Sequence, residues 1–308
     1  MLNDRFVYVN GEYVAWEKAT VHMMCHSFAR GSAIFEVLSL HATPSGPAVF
    51  RLEDHIARLF RTAELLDMQL PISPEQFYRA VSGTVKRNEL EKGFIKIMGY
   101  YPQLALEIVP PQRLLEVAIF ALDPVLDFEG IDFPTEILER GTTACISKWR
   151  KLDPQTVPIQ AKAAANYLNG MVAHFDAEKR GFEHAIMLDT QGFIAEGGTE
   201  SIFLIKNGNL MTPALGTVLA SITRKSILKA AETIGVNTAE ERLSPELLTE
   251  ADELFFGSTP FKVFPVRQIE NRILKKVPGP VTRKIAELMN TIASGEDGRF
   301  KDWLFVVD

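Results

Sequence analysis

The segment Val157-Pro-Ile-Gln-Ala-Lys-Ala-Ala-Ala-Asn-Tyr-Leu-Asn-Gly-Met-Val-Ala173 contains a single charged residue, Lys162, among 17. Solvated lysines usually have acidic neighbours, and this segment has none. Burial disfavours the charged form of an amine, so Lys162 is a candidate for a neutral, nucleophilic amine that forms a Schiff base with a carbonyl compound. The alternative is a surface lysine that extends into water from an alanine-rich helix, which is the commoner situation.

The bulk composition describes a globular chain of 308 residues, 46% of them hydrophobic, which is long enough for two domains with separate cores. The net charge is −6 and the basic residues are scattered, so we expect no nucleic-acid or membrane partner and a small-molecule substrate instead. The beginning of the chain mixes charges and no stretch reaches membrane-spanning length, which predicts a cytoplasmic protein. Cys25 and Cys145 lie far apart, as reduced thiols do.

The first part of the chain, residues 1–122, predicts a small α+β domain. Residues 6–14 alternate around Asn10-Gly11, which is typical of a β-hairpin with a type I′ turn. Apolar residues spaced by three and four predict a helix over 53–66, and Ser73-Pro74 begins a second helix over 73–88. Further strands are predicted over 33–40, 48–52, 94–101 and 115–122.

The second part predicts a larger domain over 134–308, after a linker at 123–133 that is rich in Pro, Gly and acidic residues. A strand over 136–147 and a helix over 164–180 are followed by an antiparallel meander through 184–188, 193–196, 201–206 and 210–212. Helices are predicted over 224–234, 244–251 and 281–293.

Three polar motifs have chemistry that complements an amine. Glu196 precedes two glycines that let a backbone approach a ligand closely, although a tight hairpin with an exposed acid has the same sequence. Ser221 and Thr223 begin a predicted helix, where free N–H groups attract an anion, although an ordinary N-cap has the same sequence. Thr259 ends an apolar run with a hydroxyl that could hold a phosphate or terminate a strand.

Other catalytic motifs receive little support. His22, Cys25 and His26 have a spacing that metal ligands use, but no acidic residue accompanies them in the segment 22–26, and we expect no metal site. No GxSxG, P-loop or GxGxxG motif occurs between a predicted strand and helix, so the common hydrolase and nucleotide-binding functions have no motif behind them.

Five motifs together resemble those of the class-IV pyridoxal-phosphate aminotransferases, the family that contains branched-chain and D-amino-acid aminotransferases and aminodeoxychorismate lyase. They occur in the family's order and spacing: Glu53-Asp-His-Ile-Ala-Arg-Leu59, Ala161-Lys-Ala-Ala-Ala-Asn-Tyr-Leu168, Glu196-Gly-Gly-Thr-Glu-Ser-Ile-Phe203, Ser221-Ile-Thr-Arg224 and Gly257-Ser-Thr259. The resemblance spans essentially the whole chain.

The resemblance implies a role for each matching residue. Lys162 would hold pyridoxal 5′-phosphate as a Schiff base and carry a proton between the substrate's α-carbon and the cofactor. Glu196 would face the pyridine nitrogen and keep it protonated, and Tyr167 would hydrogen-bond the phenolate oxygen. The phosphate contacts would be Arg58, the backbone amides of Ile222 and Thr223, and the hydroxyl of Thr259.

The resemblance also implies a fold and an assembly. The fold is the mixed α/β, two-domain fold-type IV, with a smaller N-terminal domain and a larger C-terminal domain of antiparallel or barrel-like β structure. The family's members are homodimers with the cofactor in the interdomain cleft, and the segment 26–35 aligns with the part that crosses to the partner.

The chain departs from the branched-chain pattern where substrates bind. Phe94 and Lys96 stand where Tyr and Arg are typical, Arg30 replaces an aromatic residue, and Pro260 removes a backbone donor. The Arg-x-His motif of D-amino-acid members is absent from residues 101–111. We predict that one of the two unexpected cations, Arg30 or Lys96, binds a substrate carboxylate. Arg30 is preferred because its planar guanidinium can contact both carboxylate oxygens. The alternative is that both cations pair with surface acids. The implied substrate contacts are Arg30, Phe35, Phe94, Lys96, Pro260 and Phe261.

The sequence therefore predicts a pyridoxal-phosphate-dependent aminotransferase. It would move an amino group from an amino acid, branched-chain-like or otherwise, or from an amine, to a 2-oxo acid by a ping-pong mechanism. Two alternatives stay open: a lyase similar to aminodeoxychorismate lyase, and a non-catalytic protein that binds pyridoxal phosphate.

Overall fold

The computed structural model describes residues 2–128, 137–259 and 262–307. In chain order the helices are α1 (His26–Arg30), α2 (Leu52–Leu65), α3 (Pro74–Arg87), α4 (Pro124–Asp127), α5 (Ile137–Arg140), α6 (Tyr167–Lys179), α7 (Ile222–Thr233), α8 (Leu247–Glu250) and α9 (Pro280–Ala293). The strands are β1 (Phe6–Val9), β2 (Glu12–Ala15), β3 (Ile34–Thr43), β4 (Gly46–Phe50), β5 (Gly93–Tyr100), β6 (Glu116–Leu122), β7 (Thr142–Ile146), β8 (His184–Leu188), β9 (Ile194–Gly197), β10 (Ser201–Lys206), β11 (Asn209–Pro213), β12 (Thr238–Glu241), β13 (Glu253–Gly257), β14 (Phe264–Ile269), β15 (Arg272–Ile273) and β16 (Leu304–Val306).

The chain divides into two compact units by its internal contacts. The first comprises Met1–Phe133, Ala161–Ala165 and Ile292–Asp308, and the second comprises Pro134–Gln160 and Asn166–Thr291. This division differs from the domain boundaries predicted from the sequence, because the segments 161–165 and 292–308 fall in the first unit. The terminal strand β16 pairs with β4 of that unit, which accounts for the second difference.

The first unit is built on one antiparallel sheet with the strand order β16-β4-β3-β5-β6-β1-β2. The predicted hairpin is present, and Asn10 and Gly11 adopt φ angles of 47° and 103°, as its turn requires. One face of the sheet packs against α2 and α3, so that Ile34 and Leu38 share a core with Leu59 and Phe77. Ser73 caps α3 through a reciprocal capping box, as its sequence predicts.

The second unit contains a mixed sheet with the order β12-β11-β10-β13-β14-β7-β8-β9, and β15 pairs with β14. The predicted meander is wrong in one respect. Strands β9 and β10 are consecutive but pair elsewhere, with β8 and β13 respectively, and β7 lies parallel to both β8 and β14. Hydrophobic alternation identifies a strand but not its neighbours, which is why the sequence missed this order.

Three predicted segments change type or length. Residues 137–140 are helical instead of extended, and Gly141 at φ 65° separates this turn from β7. A 3-10 turn over Ala164–Asn166 precedes α6 in the predicted helix 164–180. The predicted helix 244–251 shortens to α8, because residues 245 and 246 form a turn before it and Ala251 after it is extended. None of the helices within the described ranges has the length and apolar character needed to cross a bilayer.

Candidate active site

Lys162 lies in a non-helical stretch beside the start of β3. It precedes the 3-10 turn Ala164–Asn166 that leads into α6. Its backbone N–H donates to Thr62 Oγ1 on α2 at 3.1 Å, and its carbonyl accepts from Phe35 N at 3.2 Å. Ala163 forms a β-bridge with Ile34. The backbone on both sides of Lys162 is thus fixed to the sheet and to α2, and the alternative of a lysine on an alanine-rich helix is wrong.

The side chain of Lys162 is half-buried and lies over an aromatic ring. Its Nζ is 4.7 Å from the centroid of the Phe35 ring, and Lys96 Nζ is 5.5 Å from the same centroid. Lys96 reaches this position because it faces Val37 across the β3–β5 ladder, on the sheet face that Phe35 shares. The structure therefore brings together three of the residues singled out from the sequence.

Arg58 lies in a buried charge cluster that the sequence did not predict. Its Nε and Nη2 each donate to a different oxygen of Glu36 at 2.7 Å, and His55 Nδ1 is 2.7 Å from Glu36 Oε2. Glu36 is fully buried. Burial alone raises the pKa of its carboxyl, but Arg58 and His55 outweigh burial and lower that pKa to about 2. Burial lowers the pKa of His55, and its hydrogen bond to Glu36 opposes that change.

The two remaining candidates of the first unit are less enclosed. Arg30 is the last residue of α1, is exposed, and donates from Nη2 to the carbonyl oxygen of Leu106 at 2.8 Å. Phe94 faces Ser39 on β3 and is partly exposed. The contact that Arg30 makes here is with a backbone carbonyl and not with the surface acid of the predicted alternative.

Glu196 is buried on β9 and pairs with a lysine. Its residue exposure is 8%, which excludes the alternative of a hairpin with an exposed acid. Lys151 Nζ forms an ion pair with Glu196 Oε1, and both side chains are nearly enclosed. Glu196 faces Met187 across the β8–β9 ladder. The sequence did not single out Lys151.

One of the two glycines after Glu196 has a packing contact in addition to the predicted role. Gly170, in the first turn of α6, is placed so that a Cβ there would overlap the carbonyl oxygen of Gly198. A Cβ on Gly198 would in turn lie 3.2 Å from the carbonyl oxygen of Gly170. The two glycines let α6 pack onto the turn that ends β9, and α6 begins at Tyr167, which is partly buried.

The start of α7 has the geometry of an anion site. Ser221 accepts from Arg224 N at 3.1 Å and so caps the helix, as its sequence predicts. The amides of Ile222 and Thr223 occupy the first two helical positions, where an α-helix offers no internal acceptor. The side chain of Gln160 fixes the approach to the helix, because it donates to Val218 O at 2.6 Å and accepts from Ala220 N at 2.9 Å.

The end of β13 supplies Thr259 and a buried lysine that the sequence did not flag. Lys262 is 4% exposed, and its Nζ is 3.2 Å from the carbonyl oxygen of Thr259. Burial lowers the pKa of Lys262 to about 7. Pro260 and Phe261, both predicted substrate contacts, lie outside the described residues.

The predicted metal-like motif has other contacts. The His26 ring nitrogens lie 2.8 Å from Ser32 Oγ and 3.1 Å from the carbonyl oxygen of Ile108. In the part of the chain that the structure describes, no group of three His, Cys, Asp or Glu side chains is arranged to hold a metal ion.

A lysine with a fixed backbone, a buried carboxylate and a capped helix N-terminus are each features that enzymes with a covalently bound, phosphorylated carbonyl cofactor use. Comparison with known proteins agrees. Residues 33–269 match the family Amino-transferase class IV. The chain is 32% identical to the branched-chain-amino-acid aminotransferase of Escherichia coli (strain K12), over 97% of this chain and 96% of that protein. It is also 32% identical to the Pseudomonas aeruginosa protein of the same name, over 99% and 98%.

A solved structure gives the same result for the fold. The T.th. branched-chain amino acid aminotransferase with pyridoxamine 5′-phosphate superposes with a TM-score of 0.93 at 28% identity, over 100% of both chains. The chain belongs to the class IV aminotransferase family. It is an aminotransferase, and the predicted fold-type IV is confirmed.

Proposed function

We propose that this aminotransferase moves an amino group from an amino acid or amine to a 2-oxo acid in a ping-pong cycle, with pyridoxal 5′-phosphate as its cofactor. The observation that carries the proposal is the placement of Lys162, whose backbone is fixed by Thr62 and Phe35 while its amine lies over an aromatic ring. When bound, the cofactor supplies a carbonyl that takes up the amino group and a ring that withdraws electrons from the substrate's α-carbon.

The residues of this chain fit that group. The amides of Ile222 and Thr223 at the start of α7 suit a phosphate dianion, and the Thr259 hydroxyl is proposed as a further donor. Arg58 is proposed to contact the phosphate through the edge of its guanidinium that faces away from Glu36. The T.th. relative binds pyridoxamine 5′-phosphate, which supports the same chemistry here.

Lys162 is proposed as both covalent anchor and proton carrier. Its amine attaches the cofactor, and after a substrate amine has displaced it, it is the base that takes the proton from the substrate's α-carbon and later returns it. Glu196 is proposed to hold a proton on the ring nitrogen of the cofactor, because a buried carboxylate stabilises a facing cation strongly. Tyr167 is proposed to hydrogen-bond the cofactor's phenolate oxygen.

Lys96 is our first choice for the residue that receives a substrate carboxylate, in place of Arg30. Its ammonium lies over the same Phe35 ring as the amine of Lys162, whereas one nitrogen of the Arg30 fork is engaged by Leu106. Lys96→Gln should weaken the half-reaction with carboxylate-bearing donors about tenfold or more and leave a simple amine nearly unaffected. Arg30→Gln is the matched comparison, and a selective loss there instead would return the role to Arg30.

A homodimer in the cytoplasm is the proposed form of the enzyme. Large apolar side chains are exposed on two neighbouring segments of the first unit, at 23–28 and 104–109, including Met23 at 74%, Phe28 at 69%, Leu106 at 79% and Ile108 at 76%. Exposed apolar groups at this density mark protein interfaces. Leu106→Asp should shift the protein toward a monomer in analytical ultracentrifugation, whereas Ile273→Asp, at 75% exposed on the second unit, should not.

Borohydride trapping tests the function directly. Reduction of the cofactor-loaded protein followed by peptide mapping should find the cofactor on Lys162, and Lys162→Ala should bind cofactor without trapping it. A panel of L-amino acids, D-amino acids and amines should bleach the cofactor's absorbance in single turnover, and a 2-oxo acid should restore it. Labelling of another lysine would refute the anchor, and pyruvate release without this cycle would identify a lyase.

A further inference from the structure

We propose that Lys151 is a positioning residue for Glu196: it holds Oε1 of the carboxylate so that Oε2 is presented to the ring nitrogen of the cofactor. The inference rests on the proposed function, since it concerns how Glu196 is prepared for its partner. The ion pair between Lys151 Nζ and Glu196 Oε1 is its starting point.

The backbone around Lys151 is fixed on two sides. Lys151 N donates to the carbonyl oxygen of Leu188, the last residue of β8, at 2.8 Å. The Asn169 side chain on α6 holds the flanking residues, because its Oδ1 accepts from Leu152 N at 3.2 Å and its Nδ2 donates to Arg150 O at 3.0 Å. Lys151 is therefore fixed between the end of β8 and the first turns of α6.

The backbone of Glu196 is held at the opposite edge of the same strand, β8. Glu196 on β9 faces Met187 on β8, one residue before the strand end that holds Lys151. The lysine and the glutamate thus approach each other across the end of β8, and the backbone of each is tied to β8, Lys151 by one hydrogen bond and Glu196 by strand pairing. Only the side-chain angles of Glu196 remain to be set, and Lys151 sets them.

Burial makes this pair different from the other lysine pair nearby. The side chains of Lys151 and Glu196 are 13% and 10% exposed, so solvent screens their attraction weakly. Lys148, three residues earlier, is 69% exposed and lies 4.0 Å from Asp176, where an ion pair contributes little. Lys148 is consequently a control of the same residue type in the same segment.

The division of the two carboxylate oxygens has a chemical consequence. The ion pair joins Lys151 Nζ to Oε1 of the carboxylate. A carboxylate can accept at both oxygens, so the pair with Lys151 is compatible with a second cation at Oε2. Without Lys151, the Glu196 side chain is free to rotate, and it then holds the ring nitrogen less well.

The test is a comparison of Lys151→Met, Lys151→Arg and Lys148→Met, each with the parent and in a Glu196→Gln background. Readouts are the dissociation constant of pyridoxal 5′-phosphate by equilibrium dialysis, the pH dependence of its absorbance in the loaded protein, and the thermal midpoint of the apoprotein. Lys151→Met should weaken cofactor binding about tenfold or more and shift the absorbance titration. Lys151→Arg should restore both, and Lys148→Met should change neither.

The Glu196→Gln background separates the outcomes. If Lys151 acts through Glu196, Lys151→Met should have less than about a twofold further effect on cofactor binding there, since the two losses are not additive for coupled residues. Equal effects in both backgrounds, or an unchanged dissociation constant in Lys151→Met, would overturn the positioning role. Unchanged binding and half-reaction in Glu196→Gln alone would instead refute the role of Glu196 in the proposed function.

Discussion

Replacing Glu36 with Gln removes the carboxylate that Arg58 and His55 share on the buried side of β3. The amide keeps the shape but not the charge, so the guanidinium of Arg58, whose side chain is 11% exposed, loses its ion pair with this carboxylate. Removing one partner of a buried ion pair costs about 3–5 kcal/mol of unfolding free energy.

The pH dependence gives a second measure of the same cluster. The pKa of Glu36 falls from 4.5 to about 2 in the folded chain, so between these values the unfolded chain binds more protons than the folded one. The ionised carboxylate of Glu36 therefore stabilises the folded chain fully above pH 4.5. This contribution, about 3 kcal/mol in all, is lost as the pH falls toward 2. The stability of Glu36→Gln should fall less steeply over this range, and the gap between the two proteins should close.

Urea unfolding followed by tryptophan fluorescence and circular dichroism, from pH 7 down to about pH 3, measures both effects. Glu64→Gln is the control, because Glu64 pairs with Arg61 on the same helix but both side chains are more than half exposed, and such pairs contribute less than about 1 kcal/mol. Equal stability losses for Glu36→Gln and Glu64→Gln at pH 7, or parallel acid profiles for the parent and Glu36→Gln, would refute this reasoning.

Two other changes test the second unit. Burial lowers the pKa of Lys262 from 10.5 to about 7, so the folded chain binds fewer protons than the unfolded chain between these values and stability rises with pH across them. Lys262→Met should abolish that rise and stabilise the protein by about 3 kcal/mol at pH 8, as measured by urea unfolding between pH 7 and 10. Gly170→Ala should destabilise by about 1–3 kcal/mol or more, because its methyl group meets the backbone of Gly198. Gly298→Ala, where the new methyl meets only the end of a lysine side chain, should be nearly neutral, and the opposite order of the two alanine variants would contradict the packing argument.

The sequence predicted what depends on local pattern. The hairpin at Asn10-Gly11, the capping box at Ser73 and the N-cap at Ser221 are each determined by a few adjacent residues, and each is present. The same holds for the motifs around Lys162 and Glu196, because short motifs identified the family correctly. The roles of the individual site residues stay predictions until the variants are measured.

Partner choice across the sheets was not predictable in the same way. Glu36 carries a signal that was available, since it is an acid at an inward position between Ile34 and Leu38, and a buried acid needs a partner. Which cation pairs with Glu36 depends on how α2 packs on β3, and no periodicity in the sequence encodes this packing. The ion pair of Lys151 is still harder to predict, because Glu196 is distant in sequence. The two residues meet only through their separate contacts with β8.

The glycines after Glu196 show how a functional motif can act through packing. The sequence alone predicted that Gly197 and Gly198 let a backbone approach a ligand, and Gly198 in addition contacts the backbone of Gly170. That contact brings the first turn of α6 against the end of β9, which ties Tyr167 at the start of the helix to Glu196 on the strand. A side chain at Gly170 or Gly198 would separate α6 from β9 and move both candidate cofactor contacts without touching either one. Because this contact sets the distance between α6 and β9, we expect Gly170→Ala to weaken cofactor binding as well as stability.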